Sequence, residues 1–313
     1  MKAVGVNNFG GTEALEVVEL PTPTPGPGEL LIRVHAAAVN PADTHLRAGS
    51  NTRRRTQDSS PPYVPGMDAA GVVNQIGDNA QTDLQVGDQV MAIVVPLNQH
   101  GAYSEYLALP AESVTKIPQG ASFAEASTLP MNGLTARLSL DQLSLEPGQT
   151  LAVTGAAGCY GGYVVELAKA EGLQVIADAS EADEGLVASF GADVIVRRGP
   201  DVAKRIRQHA PDGVDGLADG SVQMEPLVAA VRDGGGFASV RGWKGNAERN
   251  IVFHETWVAQ YQKEQAKLDR LRQQAEDGQI TLRVAGIVPK ENAAEAHARL
   301  EAGGTRGRWI IQL

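Results

Sequence analysis

The stretch that decides the fold is Leu-Ala-Val-Thr-Gly-Ala-Ala-Gly-Cys-Tyr-Gly-Gly at residues 151–162. Its apolar beginning predicts a strand, its glycines predict a tight turn, and a helix follows at once. The spacing Ala156-x-Gly158-x-x-Gly161 is a variant of the dinucleotide-binding fingerprint in which Ala replaces the first Gly. In that fingerprint Gly158 lets the backbone approach a pyrophosphate, and Gly161 lets helix and strand pack closely. The positive end of the helix then faces the phosphates.

We therefore predict a dinucleotide site along the whole turn, formed by Gly155, Ala156, Ala157, Gly158, Cys159, Tyr160 and Gly161. The alternative is a glycine-rich turn without a ligand. The position of the motif between a strand and a helix, inside a series of such units, favours the ligand. Packing is the favoured role for the Cys159 side chain, because no base lies near it in sequence.

The residues after 150 alternate short apolar strands with amphipathic helices. Strands are predicted at 151–154, 174–177, 194–196, 213–217 and 236–240, with a helix at 163–171 after the turn. This alternation is typical of a parallel sheet covered by helices on both faces. Residues 1–118 read instead as β-rich, with strands at 30–36, 70–73 and 90–95, and a capping box at Ser122 and Glu125 opens an Ala- and Leu-rich helix. Near the end, helices are predicted at 262–276 and 291–301, and a strand at 308–311.

Composition narrows the class of protein. The chain has 313 residues, a net charge of -10 and one cysteine, Cys159. The acidic balance argues against nucleic acid and anionic membranes as partners, and the basic run Arg53–Arg55 is expected to be a solvated loop. One cysteine excludes an internal disulfide and any multi-cysteine metal site. Without a long apolar segment, a reducing, cytoplasmic location is the expectation.

Seven short segments, taken in order, resemble the medium-chain dehydrogenase/reductase superfamily, and within it the zinc-free quinone oxidoreductase (zeta-crystallin-like) branch. They are VNPAD at 39–43, PGMDAAGVV at 65–73, VGDQV at 86–90, GAYSEY at 101–106, ASTLP at 126–130, GLTA at 133–136 and GTRGR at 304–308. The resemblance implies an α/β fold in which a Rossmann doubly wound parallel sheet, residues 119–256, is inserted into a GroES-like β-barrel domain made of residues 1–118 and 257–313. It also implies an active site in the cleft between the two domains.

The same resemblance argues against zinc. Zinc-dependent relatives need a Cys in the first domain and a Gly-His-Glu motif, whereas this chain has Gly66-Met67-Asp68. A thioether cannot replace imidazole in a His/Cys/carboxylate zinc site. We therefore expect no metal in the active site.

The resemblance also assigns roles to individual residues. Asn40 would hydrogen-bond cofactor or substrate, and His45, where many relatives carry Tyr, would donate a hydrogen bond or proton to the acceptor carbonyl. Thr135 would lie near the nicotinamide carboxamide, and the nicotinamide would also contact the backbone of Ser239, Val240, Arg241 and Gly242. From its residue type, Asp43 is expected to hold its own turn. The remaining histidines, His297 among them, are expected in strand or surface roles.

The residues predicted at the adenosine end of the cofactor allow two forms of it, NAD(H) and NADP(H). Asp178, with Ser180 beside it, would bind the ribose hydroxyl of NAD and repel a 2′-phosphate. Arg197 and Arg198 follow the third predicted strand, and a guanidinium there suits the 2′-phosphate of NADP. NADP(H) is favoured, because the family's metal-free members use it, and NAD(H) stays possible.

The leading hypothesis is a zinc-independent oxidoreductase that transfers hydride from NADPH to a quinone or an activated enone. One alternative is an NADH-dependent, zinc-free alcohol or carbonyl reductase. Another is a catalytically silent dinucleotide-binding sensor. The partners expected are a small-molecule quinone, enone or carbonyl compound and a second copy of the chain, since the family pairs Rossmann edge strands into homodimers.

Overall fold

The computed structural model describes residues 1–50, 60–96 and 101–313. The basic run at 53–55, half of the loop at 47–64 and His100 lie outside the described residues. The chain divides into two compact units: residues 1–131, 261–276 and 282–313 form the first, and residues 132–260 and 277–281 form the second. The division predicted from the sequence, after residues 118 and 256, remains a prediction about domains.

Fifteen strands and eight helices are named here in chain order. The strands are β1 Lys2–Gly5, β2 Glu16–Glu19, β3 Glu29–Ala38, β4 Asp68–Ile76, β5 Gln89–Ile93, β6 Tyr106–Pro110, β7 Val114–Lys116, β8 Thr150–Thr154, β9 Gln174–Ala179, β10 Val194–Arg197, β11 Val214–Asp219, β12 Val231–Ser239, β13 Val252–Glu255, β14 Val284–Pro289 and β15 Arg308–Gln312. The helices are α1 Pro41–Arg47, α2 Phe123–Ala126, α3 Pro130–Leu143, α4 Cys159–Ala170, α5 Glu184–Ser189, α6 Val202–His209, α7 Gln265–Glu276 and α8 Ala293–Glu301.

The first unit is built on a seven-stranded sheet. Its order is β14-β15-β3-β4-β5-β7, and β6 also pairs with β3. In the long strand β3, Leu30, Ile32 and Val34 share one face and pack into the core, whereas Arg33 on the other face is exposed. Every pairing is antiparallel except that of β14 with β15.

The predicted barrel is an open sheet in this part of the chain. Within residues 1–50, 60–96 and 101–313, no ladder joins the two end strands, β7 and β14. The β3 strand pairs with β4, β6 and β15, so the C-terminal strand lies in the same sheet as strands from the first 116 residues, while β1 and β2 form a separate pair.

The second unit is a parallel sheet of order β10-β9-β8-β11-β12-β13. The strand order reverses between β8 and β11, and in open α/β sheets ligands bind outside the carboxyl ends of strands at such a point. The ends of three strands lie level there, because Asp219 is paired in register with Thr154 on one side and with Ser239 on the other. The predicted Rossmann architecture is therefore confirmed, and these residues lie at the sheet edge where such folds bind ligands.

Two helices depart from the prediction. The capping box at Ser122 and Glu125 is confirmed, but α2 ends at Ala126 and a new helix starts at Pro130. Pro130 disfavours the helical conformation at the residue before it, Leu129, so the helix is interrupted at this point. The α4 helix begins at Cys159, four residues earlier than predicted, although Gly161 and Gly162 are poor helix formers. In the described ranges no helix combines the length and apolar character needed to cross a membrane.

Candidate active site

The turn after β8 brings three backbones close together. Gly155 has φ +67°, in the left-handed region, and a Cβ there would lie 2.7 Å from the Gly220 carbonyl carbon. A Cβ on Gly161 would lie 2.3 Å from the Gly155 oxygen and 2.7 Å from Ala156 Cα. Only glycine allows α4 to pack this closely on the turn, which is the predicted role of Gly161.

Gly158 has a different environment. It is the N-cap residue of α4, with φ -74°, and no side chain caps the helix. A Cβ on Gly158 would meet nothing within 4 Å except the Gly155 oxygen at 3.2 Å. The first turn of a helix has N–H groups without intrahelical acceptors, and its positive dipole end attracts anions. The turn therefore fits a pyrophosphate, which would lie against Gly158 and the start of α4.

Asp178 lies beneath this turn. Its Oδ1 accepts a hydrogen bond from the Ala156 N–H at 3.2 Å, and its side chain is buried. Burial raises the pKa of Asp178 above its usual range, while the turn's N–H donors and the charge of Arg198 act in the opposite direction. The carboxylate thus supports the phosphate turn, and its predicted contact with a ribose hydroxyl stays a prediction.

The two arginines after β10 differ in their contacts. Arg197 NH2 pairs with Glu181 Oε2 at 2.8 Å, and both side chains are exposed. Arg198 is exposed, and its backbone N–H donates to the Ala179 carbonyl at 2.8 Å, which holds it beside the end of β9. Ser180, the residue after β9, bonds its hydroxyl to the buried Asp183 carboxylate. Arg198 is therefore the better candidate of the two arginines for binding a 2′-phosphate.

Tyr160 connects the phosphate turn to helix α3. Its Oη lies 2.7 Å from Ser139 Oγ, and Ser139 Oγ in turn donates to the Thr135 carbonyl at 3.0 Å. A Cβ on Gly220 would lie 2.9 Å from the Tyr160 ring, so this phenol also fills the space beside the carboxyl end of β11. Burial raises the pKa of Tyr160, which therefore stays protonated. Cys159 beside it is buried, in keeping with the packing role expected for it.

The remaining predicted nicotinamide contacts follow β12. Ser239 is the last residue of that strand and is buried, Arg241 is exposed, and Val240 and Gly242 are partly exposed. A Cβ on Gly242 would lie 2.3 Å from the Trp257 ring, so the turn after Ser239 passes close to this indole. Because Ser239 is in register with Asp219, the structure brings it to the same sheet edge as the phosphate turn.

Sequence reasoning missed a polar cluster at the point where the strand order reverses. Asp219 is fully buried, and its Oδ1 accepts from Thr154 Oγ1 at 2.8 Å and from Ser221 Oγ at 2.9 Å. Its Oδ2 accepts from the Met224 N–H at 2.8 Å. The signal was available in Asp219-Gly220-Ser221, which follows a predicted strand at its carboxyl end, where parallel sheets bind ligands.

The first unit holds the other predicted site, around Asn40. This residue ends the extended segment after β3, caps α1 and is fully buried. Its Nδ2 donates to Asp68 Oδ2 at 2.6 Å, and the second Asp68 oxygen accepts from the Met131 N–H at 2.6 Å. Burial raises the pKa of Asp68 to about 7, against the effect of these two donors. The structure therefore orients the Asn40 amide through a carboxylate, while contact with cofactor or substrate stays a prediction.

Asp43 has the local role expected for it. Its Oδ2 accepts the Asn40 N–H at 2.8 Å and its Oδ1 accepts the Gly66 N–H at 2.9 Å. Burial raises the pKa of Asp43 to about 6, and these hydrogen bonds oppose that rise. His45 lies two residues further along α1 and is partly buried.

The expectation for His297 is wrong. It lies in α8, fully buried, with Nε2 at 3.1 Å from Tyr103 Oη and Nδ1 at 3.3 Å from Arg47 NH1. Burial and the neighbouring Arg47 lower the pKa of His297 to about 3. Polar side chains of its own unit surround this histidine, which the isolated sequence around 297 could not reveal.

The side chains at positions 67 and 68 decide whether this site could hold a zinc ion. Met67 and Asp68 stand where zinc-dependent relatives carry His and Glu, and both Asp68 oxygens accept hydrogen bonds from N–H groups. Among the residues that the structure describes, no cluster of three His, Cys, Asp or Glu side chains could hold a metal ion.

Two family models match the chain. Residues 26–119 match the alcohol dehydrogenase GroES-like domain, and residues 190–311 match the zinc-binding dehydrogenase domain. A probable quinone oxidoreductase of Schizosaccharomyces pombe is 28% identical over 98% of this chain and 96% of its own length. The chain belongs to the medium-chain dehydrogenase/reductase superfamily, in its quinone oxidoreductase branch. It is therefore an NAD(P)H-dependent oxidoreductase, as the resemblance predicts.

Other members of the superfamily differ in cofactor and acceptor. An NADPH-dependent alkenal/one oxidoreductase of Arabidopsis thaliana is 32% identical over 77% of this chain and 63% of its own length. A mycobacterial protein solved in complex with NADPH is 26% identical, with a TM-score of 0.86 over 100% of both chains. A solved NAD-dependent alcohol dehydrogenase is 28% identical, also with a TM-score of 0.86 over 100% of both chains.

Proposed function

We propose that this protein transfers hydride from NADPH to a quinone or an activated enone without a metal ion. The observation that carries the proposal is the turn from Gly155 to Gly161, whose glycines pack the backbone closely at Gly161 and leave it open at Gly158. A quinone or enone acceptor suits a metal-free site, because its electron-poor carbon accepts hydride directly and its oxygen can be protonated by solvent or by a side chain.

The second unit would bind the cofactor. The start of α4 would bind the pyrophosphate. Tyr160 connects α4 to α3 through Ser139, and Thr135 on α3 would contact the carboxamide. Backbone groups of residues 239–242 would contact the ring, which supplies the hydride when the cofactor is bound. These contacts fix orientation, and orientation of two reactants removes a large part of the barrier to a bimolecular step.

The first unit would supply the polar groups near the acceptor. Asn40 has its amide oriented by Asp68 and its backbone held by Asp43. His45 on α1 would donate a hydrogen bond to the acceptor carbonyl, where negative charge develops during hydride transfer. Solvent can protonate the product oxygen, so His45 accelerates the step without being essential to it.

Zinc independence rests on the residue types at positions 67 and 68. Asp68 stands where zinc-dependent relatives carry Glu, and its two oxygens hold the Asn40 amide and the Met131 N–H. The adjacent Met67 carries a thioether in place of an imidazole. These residues do not fit a His/Cys/carboxylate zinc site.

NADPH is favoured over NADH by charge. Arg198 is exposed beside the end of β9, and in the described part of the chain no carboxylate lies within ion-pair distance of it. Asp178, the residue that would favour NAD, is committed to the Ala156 N–H and is buried. The relatives that use NADPH support the same choice, whereas the NAD-dependent neighbour keeps the NADH-dependent carbonyl reductase as the second candidate.

The test is a pair of titrations with NADPH and NADH, followed by nicotinamide fluorescence, after which 1,4-benzoquinone or a simple enone is added. We expect tight NADPH binding and its oxidation by the acceptor. Replacing Arg198 by Ala should raise the Kd for NADPH about tenfold, the loss of one charge-assisted hydrogen bond, and leave that for NADH unchanged. Arg299→Ala, which removes another exposed guanidinium, in the first unit, is the control and should change neither value.

Each other outcome points elsewhere. A preference for NADH would refute the 2′-phosphate role of Arg198 and favour the carbonyl reductase. Binding without turnover on any quinone or enone would favour the silent sensor. No binding of either nucleotide would refute the assignment of the phosphate turn itself.

A further inference from the structure

A chain of buried polar side chains runs through the first unit behind Asn40. Asp43 Oδ2 accepts from Tyr103 Oη at 3.2 Å, and Tyr103 Oη lies 3.1 Å from His297 Nε2. His297 Nδ1 lies 3.3 Å from Arg47 NH1, and Arg47 NH2 donates to Glu301 Oε1 at 2.6 Å. The chain ends at the surface, since the Glu301 side chain is 41% exposed while that of Arg47 is 5% exposed.

The direction of every hydrogen bond in this array follows from its arginine. A guanidinium only donates, so His297 Nδ1 must accept from Arg47, and the neutral ring carries its proton on Nε2. Nε2–H then donates to Tyr103 Oη, which leaves the phenol proton for Asp43. Asp43 also accepts two backbone N–H groups, those of Asn40 and Gly66, and as a carboxylate it can only accept.

Such an array is costly to keep buried unless every member is satisfied. A polar group without a partner in the interior loses its solvation, and apolar replacements of equal volume are often as stable. The Tyr103 ring also contacts the His297 ring edge to face, with centroids 5.8 Å apart. Apolar side chains of similar size could make the same packing contact. Packing therefore does not explain these polar atoms. Through Asp43 they lead to the backbone N–H groups of Asn40 and Gly66, and Asn40 is the one of the two predicted to lie in the active site.

We propose that Tyr103 and His297 are positioning residues for hydride transfer, acting through Asp43 to fix Asn40. The inference rests on the proposed function, because Asn40 is the residue that would contact the reactants. Asp43 holds the backbone of Asn40 and Asp68 holds its side-chain amide, so the residue is fixed at both ends. The phenol and imidazole touch neither substrate nor cofactor in this scheme; they set the geometry of Asp43.

The first measurement is the protonation state of His297, by nitrogen-detected NMR of labelled histidine in the full-length protein. We expect the neutral tautomer with its proton on Nε2, unchanged between about pH 5 and pH 9 because burial and Arg47 hold the pKa of His297 at about 3. A resonance of the opposite tautomer, or a ring that titrates in this range, would overturn the proposed array. This readout needs no turnover.

The second measurement separates positioning from folding. Tyr103→Phe should lower kcat roughly 10- to 100-fold, since misplacement by about 1 Å costs that much, with the Kd for NADPH unchanged. His297→Leu should behave in the same way. His297→Gln should recover kcat to within about threefold of the parent, because its amide oxygen can accept from Arg47 while its N–H donates to Tyr103.

The control is Ile32→Val, which removes one methylene from the buried β3 strand of the same unit and changes none of the polar groups of the array. It should lower Tm while kcat stays at the parent value. Parental kcat in Tyr103→Phe would overturn the positioning role. If the parent protein failed to oxidise NADPH with every quinone and enone tried, the proposed function itself would be wrong, and this would be known before any variant is compared.

Discussion

The phosphate turn offers a matched pair of substitutions, Gly158→Ala and Gly161→Ala, that separate packing of the turn from binding of its ligand. Both add one methyl group, and both positions lie at the start of α4. The methyl group of the first would enter the open side of the turn, whereas that of the second would enter backbone that is already in contact. The two variants should therefore differ in stability but share a loss of NADPH affinity.

For Gly161→Ala the added Cβ would lie 2.3 Å from the Gly155 oxygen and 2.7 Å from Ala156 Cα. An ordinary contact needs at least 3.4 Å, so turn and helix must separate by about 1 Å. Overpacking of this kind costs about 1–3 kcal/mol of unfolding free energy. We expect that loss in urea unfolding of the nucleotide-free protein, together with a Kd for NADPH raised at least tenfold.

For Gly158→Ala the nearest atom is the Gly155 oxygen at 3.2 Å, and the backbone, at φ -74° and ψ 167°, is ordinary for alanine. The free energy of unfolding should change by less than about 1 kcal/mol, the range of Gly-to-Ala changes at compatible positions. The Kd for NADPH should still rise about tenfold or more, because the methyl group occupies the space of a phosphate oxygen.

The control is Gly185→Ala in α5, where an added Cβ meets nothing within 4 Å, and it should alter neither binding nor packing of the turn. If Gly158→Ala bound NADPH as tightly as the parent, the pyrophosphate could not lie against Gly158. If Gly161→Ala were as stable as the parent, the close approach of α4 to the turn would be wrong.

Four further predictions follow from individual residues. Burial raises the pKa of Asp68 to about 7, so the folded protein holds the carboxyl proton more tightly than the unfolded chain does. The free energy of unfolding of the parent should therefore fall relative to that of Asp68→Asn, by up to about 4 kcal/mol, as pH rises from about 4 to about 7. Equal pH slopes of the two proteins in urea titrations would contradict this. Replacing His45 by Phe should lower kcat by up to about 100-fold, the lower range for a positioned proton donor, and leave NADPH binding intact; an unchanged kcat would remove His45 from the reaction. Dialysis against a chelator should leave activity unchanged and elemental analysis should find less than one zinc per chain, whereas loss of activity that zinc restores would refute the metal-free site. Light scattering should give twice the chain mass of 32.9 kDa, because β13 is an edge strand with Val252 exposed, and a single-chain mass would refute the predicted dimer.

Local sequence patterns predicted five of the six strands of the parallel sheet, and they missed β13. A βα unit is short, and its strand, turn and helix are neighbours in the chain, so the motif from Leu151 to Gly162 carries its own structural context. The order of the strands in the sheet comes from the structure. What the pattern could not supply was the start of α4 at Cys159, because the glycines there become helical only by packing on Gly155.

The site around Asn40 was predicted only in part. Asn40 and Asp43 lie three residues apart, and a capping interaction at that spacing can be read from the sequence. Tyr103 and His297 join them from 60 and 254 residues beyond Asp43, and nothing in the sequence near either residue signals a polar neighbour. Asp219 was missed because the predicted strand ended at residue 217, whereas β11 continues to Asp219 and places this carboxylate at the sheet edge.

The sequence by itself determined the fold class, the superfamily, the phosphate turn and the Met67 and Asp68 substitutions that argue against zinc, because each depends on residues close together in the chain. Only the tertiary structure decided that the sheet of the first unit stays open in its described residues, that Asp178 supports the turn, and that His297 is a buried partner of Tyr103. The physical reason is the distance along the chain over which each kind of interaction acts. Propensity, capping and turn chemistry act over a few residues, whereas burial and the direction of a hydrogen bond depend on which distant segments the folded chain brings into contact.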